Sequence, residues 1–287
     1  MSAVFKKEFA GYFRAATGYI YFGVYILFSG ICFWLINISN GITDYAGAMS
    51  NNVLVMLLLV PVVTMRLFAE EARQKTDQLL FTSPIKPWKI VIGKFFAAYA
   101  LYSAALIFTV IFPIIISFYG NIAVASVFSS YLGYWLLGAC YISVGMFISS
   151  LTQSQVASAI ISVITLLSFL LIDAMAASAP ISRVASITFV VVLIAGFAVL
   201  MYFASKNILA AVISLLVLGA SVVGAYFMKP TLFDGAIYKA LTWVSINTRV
   251  YNFGNGILHL TDIVFFVTFS ALFVVFTIIA VLRRRWK

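Results

Sequence analysis

Long apolar stretches separated by short polar segments make up almost the whole chain. A helix that crosses a membrane needs about 20 largely apolar residues. The pattern predicts about eight such helices, at 17–37, 52–70, 92–118, 124–150, 154–176, 184–204, 207–228 and 260–283. We therefore expect an all-α polytopic membrane protein that forms a single transmembrane domain over residues 1–287.

The first 16 residues predict an amphipathic helix ahead of the first span. On a helical wheel, Lys7 and Arg14 lie opposite an apolar face. That face consists of Phe5, Phe9, Tyr12, Phe13 and Ala16. Such a helix lies along the membrane surface with its rings at the acyl boundary. We expect residues 1–16 to form an interfacial elbow helix.

The polar stretch between the second and third spans predicts a rigid surface element. Thr76 or Asp77 can cap a short helix, and that helix ends before Pro84 because the residue preceding a proline avoids the helical region. The apolar side chains of this helix are Leu79, Leu80 and Phe81. We predict a cytoplasmic surface segment over residues 71–91, available for contact with another protein.

Two later segments differ from single spans. Spans six and seven form a hairpin over 184–228 with only a short link between them. Residues 229–259 are too many for a turn and too polar for a span. We interpret them as one or two short extracytoplasmic re-entrant helices, broken between Asn252 and Gly256. Non-helical backbone at membrane depth has to be covered by protein.

A stripe of small hydroxylated residues runs along the fifth span. Its members are Ser154, Ser158, Ser162, Thr165 and Ser168. Small residues let helices approach closely, and hydroxyl groups can hydrogen-bond across the contact or face a polar pathway. The carboxylate of Asp173 lies near the outer end of the stripe. The pattern is compatible with simple helix packing and with a pathway or dimer interface.

Composition and charge agree with a membrane protein. Hydrophobic residues form 64% of the chain, charged residues 9%, and the net charge is +10. With the N-terminus inside, fourteen of the 18 Lys and Arg residues fall on the inner side and four on the outer side. This asymmetry predicts a multi-pass plasma-membrane protein with both termini in the cytoplasm. The positive charge indicates contact with anionic membrane lipid, not with nucleic acid, because no basic domain could hold a duplex.

The chain lacks the motifs of an enzyme. The pair Gly93-Lys94 is followed by Phe95 and lacks the preceding glycine of a phosphate-binding loop. His259 is the only histidine, which excludes a His-Glu-x-x-His zinc site and disfavours a Ser-His-Asp hydrolase. We expect no catalytic residue, no metal site and no directly bound cofactor. The scarcity of charges inside the spans disfavours proton-coupled or sodium-coupled transport.

Three groups of motifs resemble ABC-2-type transporter permeases, in particular the gliding-motility-associated subgroup. The central group comprises 66–71 (RLFAEE), 76–80 (TDQLL), 82–84 (TSP) and 93–95 (GKF). The opening Phe5-Lys6-Lys7-Glu8-Phe9 and the closing stretches 252–257 and 260–262 resemble the two ends of that subgroup. Six spans are usual in the wider family, so the hairpin at 184–228 is an addition by this comparison.

The resemblance implies the permease subunit of an ATP-binding-cassette transporter, working as an exporter. Two permease chains, identical or related, would pair with two separately encoded ATPase subunits that supply the ATP and Mg²⁺ chemistry. Residues 71–91 would be the coupling segment that contacts the ATPase. The implied ATPase-coupling residues are Glu70, Glu71, Arg73, Thr76, Asp77, Leu79, Leu80, Phe81 and Pro84. Spans one and five would face the second permease. An extracytoplasmic accessory protein is a further possible partner. The alternative is a self-contained secondary transporter or channel.

Overall fold

The computed structural model describes residues 1–75, 86–180, 182, 185–192, 194, 196, 216–220 and 234–285. The described residues contain helices and connecting turns and no β-strand. The chain divides into two compact units. The first unit comprises 1–168 together with 246–287, and the second comprises 169–245. Predicted spans six and seven lie largely outside the described residues.

Eleven helices with defined bounds are described. They are α1 (Ser2–Arg14), α2 (Thr17–Phe33), α3 (Tyr45–Ser50), α4 (Asn52–Gln74), α5 (Pro87–Phe108), α6 (Ile111–Tyr119), α7 (Val124–Leu151), α8 (Gln155–Ser178), α9 (Ala236–Val244), α10 (Asn247–Gly254) and α11 (Leu260–Arg285). A π-helical turn, Trp34–Ile38, continues α2. Helix α1 corresponds to the predicted elbow helix, and its position at a membrane surface stays a prediction.

Six helical segments within the described residues are long and apolar enough to cross a membrane. They are Thr17–Ile38, Tyr45–Gln74, Pro87–Tyr119, Val124–Leu151, Gln155–Ala176 and Leu260–Arg283. Each corresponds to one of the eight predicted spans, which confirms the hydropathy analysis for these six. The length of the segments follows from the thickness of the hydrocarbon layer, about 30 Å.

The helix ends around the polar segment differ from the predicted ones. Helix α4 continues to Gln74 and ends where Lys75 adopts a left-handed conformation with φ of 56°. Helix α5 begins at Pro87, whose fixed φ suits the first helical position. Residues 71–74 and 87–91 of the predicted coupling segment therefore belong to the helices on either side of it.

The third predicted span is interrupted near its far end. Helix α5 ends at Phe108 and α6 begins at Ile111, so that Thr109 and Val110 form a turn. The cause is Pro113, because a proline ring clashes with the carbonyl group four residues earlier, here that of Thr109. The freed backbone is partly satisfied by the Phe112 N–H, which donates to the Thr109 carbonyl at 3.0 Å.

Helix α7 is the central helix of the first unit and packs against α4, α5, α10 and α11. Three of its glycines form close contacts with neighbouring helices. A Cβ atom at Gly133 would lie 2.7 Å from Cβ of Phe253, and one at Gly145 would lie 3.0 Å from Cβ of Thr64. Such contacts matter in lipid, where helix association depends on close packing and not on exclusion of water.

Polar contacts lie near both ends of α7. Ser126 and Ser129 donate hydrogen bonds of 2.7 Å to the carbonyl groups of Gly254 and Phe253 at the end of α10. Near the other end, the Ser149 hydroxyl contacts the backbone of α4. Ser129 and Ser149 are 20 residues apart, so about 30 Å of helix separates the two groups of contacts. This distance equals the thickness of a hydrocarbon layer.

Residues 229–259 contain the two short helices α9 and α10 where they are described. Helix α10 ends at Gly254 and Gly256 has a positive φ of 79°, which agrees with a break in this region. An ion pair ties α10 to the start of α11, because Arg249 Nη1 lies 2.7 Å from Asp262 Oδ1. Asn252 Nδ2 donates to the second carboxylate oxygen at 3.1 Å. Re-entry into a membrane stays a prediction.

Replacing Gly138 by alanine should destabilise the first unit, because the new Cβ would lie 2.0 Å from Cε1 of the buried Tyr102. We expect a loss of about 1–3 kcal/mol, the usual cost of overpacking, measured as a lower unfolding temperature in detergent. Gly23→Ala is the matched control, since nothing lies within 4 Å of a Cβ there. Equal unfolding temperatures for the two variants would contradict the described contact between α5 and α7.

Candidate functional site

A buried lysine lies at the end of the first unit that holds the chain's N-terminus. Lys94 lies in the second turn of α5 and only 1% of its side chain is exposed. Its neighbours on the inner face of α5 are apolar and include Val91, Ala97 and Ala98. Removing an ammonium group from water is costly unless other groups compensate the charge.

Three oxygen atoms from two other helices surround this ammonium group. Lys94 Nζ lies 3.1 Å from Glu8 Oε1 in α1 and 2.8 Å from Glu71 Oε1 in α4. It also donates to the Leu67 carbonyl at 2.6 Å. The three donors of the ammonium group thus match three acceptors. We name Glu8, Leu67, Glu71 and Lys94 the Lys94 cluster.

Helix α1 is held to the cluster by further contacts. A Cβ atom at Gly93 would lie 3.1 Å from Cβ of Val4, so the absence of a side chain allows α1 to approach α5. The Tyr12 hydroxyl donates to the Val63 carbonyl of α4 at 3.3 Å. Burial, with a smaller effect of Glu8, raises the pKa of Tyr12 well above its usual value, so the hydroxyl remains a donor. The three helices are therefore connected by packing as well as by charge.

A second ion pair on α4 is formed by Arg66 and Glu70, the residues directly before Leu67 and Glu71 of the cluster. Arg66 Nε is 2.8 Å from Glu70 Oε2, and its Nη1 donates to the Thr17 hydroxyl at 3.1 Å. The side chains of Arg66 and Glu70 are 29% and 26% exposed, so solvent weakens this pair compared with the Lys94 cluster. The hydrogen bond from Arg66 to Thr17 joins the start of α2 to α4.

A hydroxyl group of α7 binds the backbone of α4 at the same level. Ser149 Oγ accepts from the N–H groups of Phe68 and Ala69 at 3.2 and 3.1 Å and donates to the Met65 carbonyl at 3.1 Å. These residues lie beside Leu67, whose carbonyl group belongs to the Lys94 cluster. Helices α1, α4, α5 and α7 thus meet within about two turns of α4.

A family model described as ABC-2 family transporter protein matches residues 3–188. The chain belongs to the ABC-2 transporter family. The matched region includes every member of the Lys94 cluster and extends from α1 through α8. Members of this family are transmembrane permease subunits of ABC transporters and are not catalytic by themselves. No curated protein and no solved structure matches the chain, and membership in the gliding-motility subgroup stays a prediction.

The predicted ATPase-coupling residues of this ABC-2 permease divide into three groups. Glu70 and Glu71 lie in α4 and pair with Arg66 and Lys94 of the same chain. Arg73 lies in the last turn of α4 and is exposed. The others lie outside the described residues, and they are Thr76, Asp77, Leu79, Leu80, Phe81 and Pro84.

The hydroxyl stripe of α8 does not lie on one buried face. Ser158 and Ser162 are fully buried, and their Oγ atoms have no hydrogen-bond partner within the described part of the chain. Ser154 and Ser168 are exposed, and Thr165 is half-buried. Asp173, also half-buried, accepts a hydrogen bond from Ser245 within the second unit. The buried face follows Ser158, Ser162 and Leu166, and the predicted stripe turns away from it beyond Ser162.

Sequence reasoning missed the two residues that complete the cluster. In the sequence, Glu8 appears only within the opening motif 5–9, and Lys94 appears within the motif 93–95 and among the fourteen inner cations. A signal was nevertheless present, since Lys94 lies inside the predicted span 92–118 and ionisable residues inside spans need partners. The partner could not be identified, because Glu8 and Lys94 are 86 positions apart.

Lys94→Met should strongly destabilise this permease, because it leaves two carboxylates and a carbonyl group without their shared donor. We expect a loss of about 3–5 kcal/mol, typical for breaking a buried ion pair from one side, read as a lower unfolding temperature in detergent. Combining it with Glu8→Gln and Glu71→Gln should recover part of the loss. Lys86→Met, at an exposed position, is the control. An unfolding temperature for Lys94→Met equal to that of this control would contradict the cluster.

Proposed function

We propose that this chain is the membrane half of an exporter that couples ATP hydrolysis by a separate ATPase subunit to movement of a cargo. ATP and Mg²⁺ would be bound by that subunit and not by the permease. Two permease chains, identical or related, would form the complete transport path. Family membership supports the membrane-subunit role, and the lack of ionisable residues deep in most spans supports an external source of energy.

The Lys94 cluster is the observation that carries the proposal. Glu71 and Lys94 stand on either side of residues 72–93, so their contact of 2.8 Å closes the base of this stretch. A force applied to residues 76–85 would therefore reach α4 and α5 together. The contact between Lys94 and Glu8 would pass the same displacement to α1. Three helices would respond to one docking event as a connected group.

The charge assignments on α4 follow from this geometry. Glu70 and Glu71 are already engaged inside the chain, so we assign them to holding the base of the coupling segment. Arg73 is exposed and is our candidate for a polar contact with the ATPase. Thr76, Asp77 and Pro84 would shape the intervening segment, and Leu79, Leu80 and Phe81 would fill an apolar groove of the ATPase.

A second permease copy would contact the part of α8 that remains accessible. Ser154 and Ser168 are exposed, whereas Ser158 and Ser162 are buried within the chain itself. We therefore assign Ser158 and Ser162 to contacts inside one permease and the exposed side of α8 to the contact between copies. An accessory protein outside the cell would bind at the end of the bundle opposite the Lys94 cluster.

Two substitutions in the coupling segment should weaken binding of the ATPase. We expect the double variant Leu79→Asp with Leu80→Asp to retain about tenfold less of a co-expressed partner ABC ATPase, because charges replace apolar contacts at the centre of the proposed interface. Co-purification from membranes measures the effect. The control is Ile257→Asp with Leu258→Asp, a pair of neighbouring residues that are 48% and 50% exposed. Equal retention of the ATPase by both variants would refute the coupling role.

The proposed orientation can be tested with single cysteines. Cys32 and Cys140 are buried, so the background labelling of the native chain should be low. We expect Leu258→Cys to react with a membrane-impermeant maleimide on intact cells, and Gln78→Cys to react only after the cells are opened. Labelling of Gln78→Cys from outside would place the coupling segment on the wrong side of the membrane for an ATPase.

A further inference from the structure

A cavity of about 430 Å³ lies at the end of the first unit opposite the Lys94 cluster. Helix α2 starts near Arg66, where Thr17 accepts a hydrogen bond. The first residue of the cavity wall, Phe33, lies 16 residues later, about 24 Å along that helix. Six apolar side chains and the polar residues Asn37 and Thr43 contribute to its wall. The apolar ones are Phe33, Ile38, Ile42, Ile115, Ile116 and Tyr119. Its size is that of a small-ligand pocket.

The wall of the cavity includes an unusual piece of backbone. Residues Trp34–Ile38 form a π-helical turn, a wider turn that often occurs at functional sites. The turn brings Asn37 inside, where it is 4% exposed. Both hydrogens of its Nδ2 are used, because it donates to the carbonyl groups of Ile42 and Asp44 at 2.8 Å each. These bonds fix the orientation of the amide and hold the loop 39–44 over it.

The other half of the Asn37 amide is left unsatisfied. Its Oδ1 is buried and accepts no hydrogen bond from any described residue. A buried acceptor without a donor is unfavourable, and a donor that enters the site removes this penalty. Because Oδ1 is covered, the donor has to enter with a small displacement of the loop that Asn37 holds. The site therefore favours a ligand that carries N–H or O–H groups.

A carboxylate that forms no ion pair among the described residues follows the cavity wall in the sequence. Asp44 directly follows the lining residue Thr43 and is exposed. Within the described part of the chain, its carboxylate contacts only the N–H of Ala46, at 3.0 Å, as the cap of α3. A carboxylate next to an apolar cavity complements a cationic group that is attached to an apolar body. Among cations, an ammonium group with hydrogens also supplies the donor that Asn37 lacks.

The surroundings place the cavity where a lipid headgroup would be found. Trp34 is 57% exposed and Tyr119 is 88% exposed, on the two helices that line the site. Exposed aromatic side chains at the end of a membrane-spanning helix are typical of the boundary between hydrocarbon and water. An amphiphile at this depth can insert its chain among the apolar residues and present its headgroup to Asp44.

We propose that this cavity binds an amphiphile with a primary ammonium headgroup, such as a phosphatidylethanolamine lipid. The ammonium group would pair with Asp44 and donate to Asn37 Oδ1, and the first part of an acyl chain would fill the cavity between α2 and α6. The proposal is independent of ATPase coupling, because it concerns the opposite end of the bundle and requires neither ATP nor a partner.

Binding of lipids with identical acyl chains and different headgroups tests the proposal. The purified full chain in detergent is titrated with phosphatidylethanolamine, phosphatidylcholine or phosphatidylglycerol, and bound lipid is counted by native mass spectrometry. Phosphatidylcholine carries a cation without N–H groups, and phosphatidylglycerol carries hydroxyl donors with a negative charge. We expect phosphatidylethanolamine to bind about tenfold more tightly than phosphatidylcholine or phosphatidylglycerol. One additional charge-assisted hydrogen bond accounts for a difference in affinity of this size. Equal binding of the three lipids would overturn the proposal.

Three variants and one competition experiment locate the effect in the cavity. Ile115→Trp should fill the cavity and remove the preference for phosphatidylethanolamine, whereas Ile114→Trp, at an exposed neighbour outside the lining, should keep it. Asp44→Asn retains a helix cap and should lose the preference without a change in unfolding temperature. Free ethanolamine at equal concentration should not compete, since it lacks the apolar chain. A preference that survives Ile115→Trp, or competition by ethanolamine alone, would refute a cavity-bound lipid.

Discussion

The ammonium group of Lys94 determines how one end of the bundle is built. A buried cation requires acceptors, and those of Lys94, which lies in α5, come from the other two helices, α1 and α4. Removal of any one partner leaves charge or a carbonyl group exposed to an apolar interior, which is the costly case for buried ion pairs. The geometry is therefore cooperative, since α1, α4 and α5 have to be in place together. The same contact closes the base of the segment that we assign to ATPase coupling.

Away from that end, close packing holds the helices together. In lipid, the exclusion of water contributes little to the association of helices. Steric fit and hydrogen bonds therefore determine how the helices pack. Helix α7 illustrates this, with Gly133, Gly138 and Gly145 against three different helices and with serine hydroxyls near both ends. Many large apolar side chains remain exposed on α2, α8 and α11, as expected for surfaces in contact with lipid or with another permease chain.

The two ends of the first unit differ in how their polar groups are satisfied. At the N-terminal end, the acceptors and donors around Lys94 are matched within the chain. At the other end, Asn37 Oδ1 has no donor and Asp44 has no cationic partner among the described residues. A satisfied polar cluster stabilises one arrangement of helices, whereas an unsatisfied one beside a cavity favours binding. We therefore assign a mechanical role to the first end and a ligand to the second.

The sequence by itself determined the class of protein and the positions of six spans, and its similarity to the family extends over residues 3–188. These properties are readable because hydropathy over about 20 residues and short motifs are local. Only the tertiary structure decided which charges lie inside. Glu71 and Arg73 are two positions apart and equally polar in sequence, yet one pairs with Lys94 and the other is exposed. The contact between Glu8 and Lys94, and the turn of the hydroxyl stripe away from its buried face after Ser162, depend on how distant helices pack, and no local pattern encodes that packing.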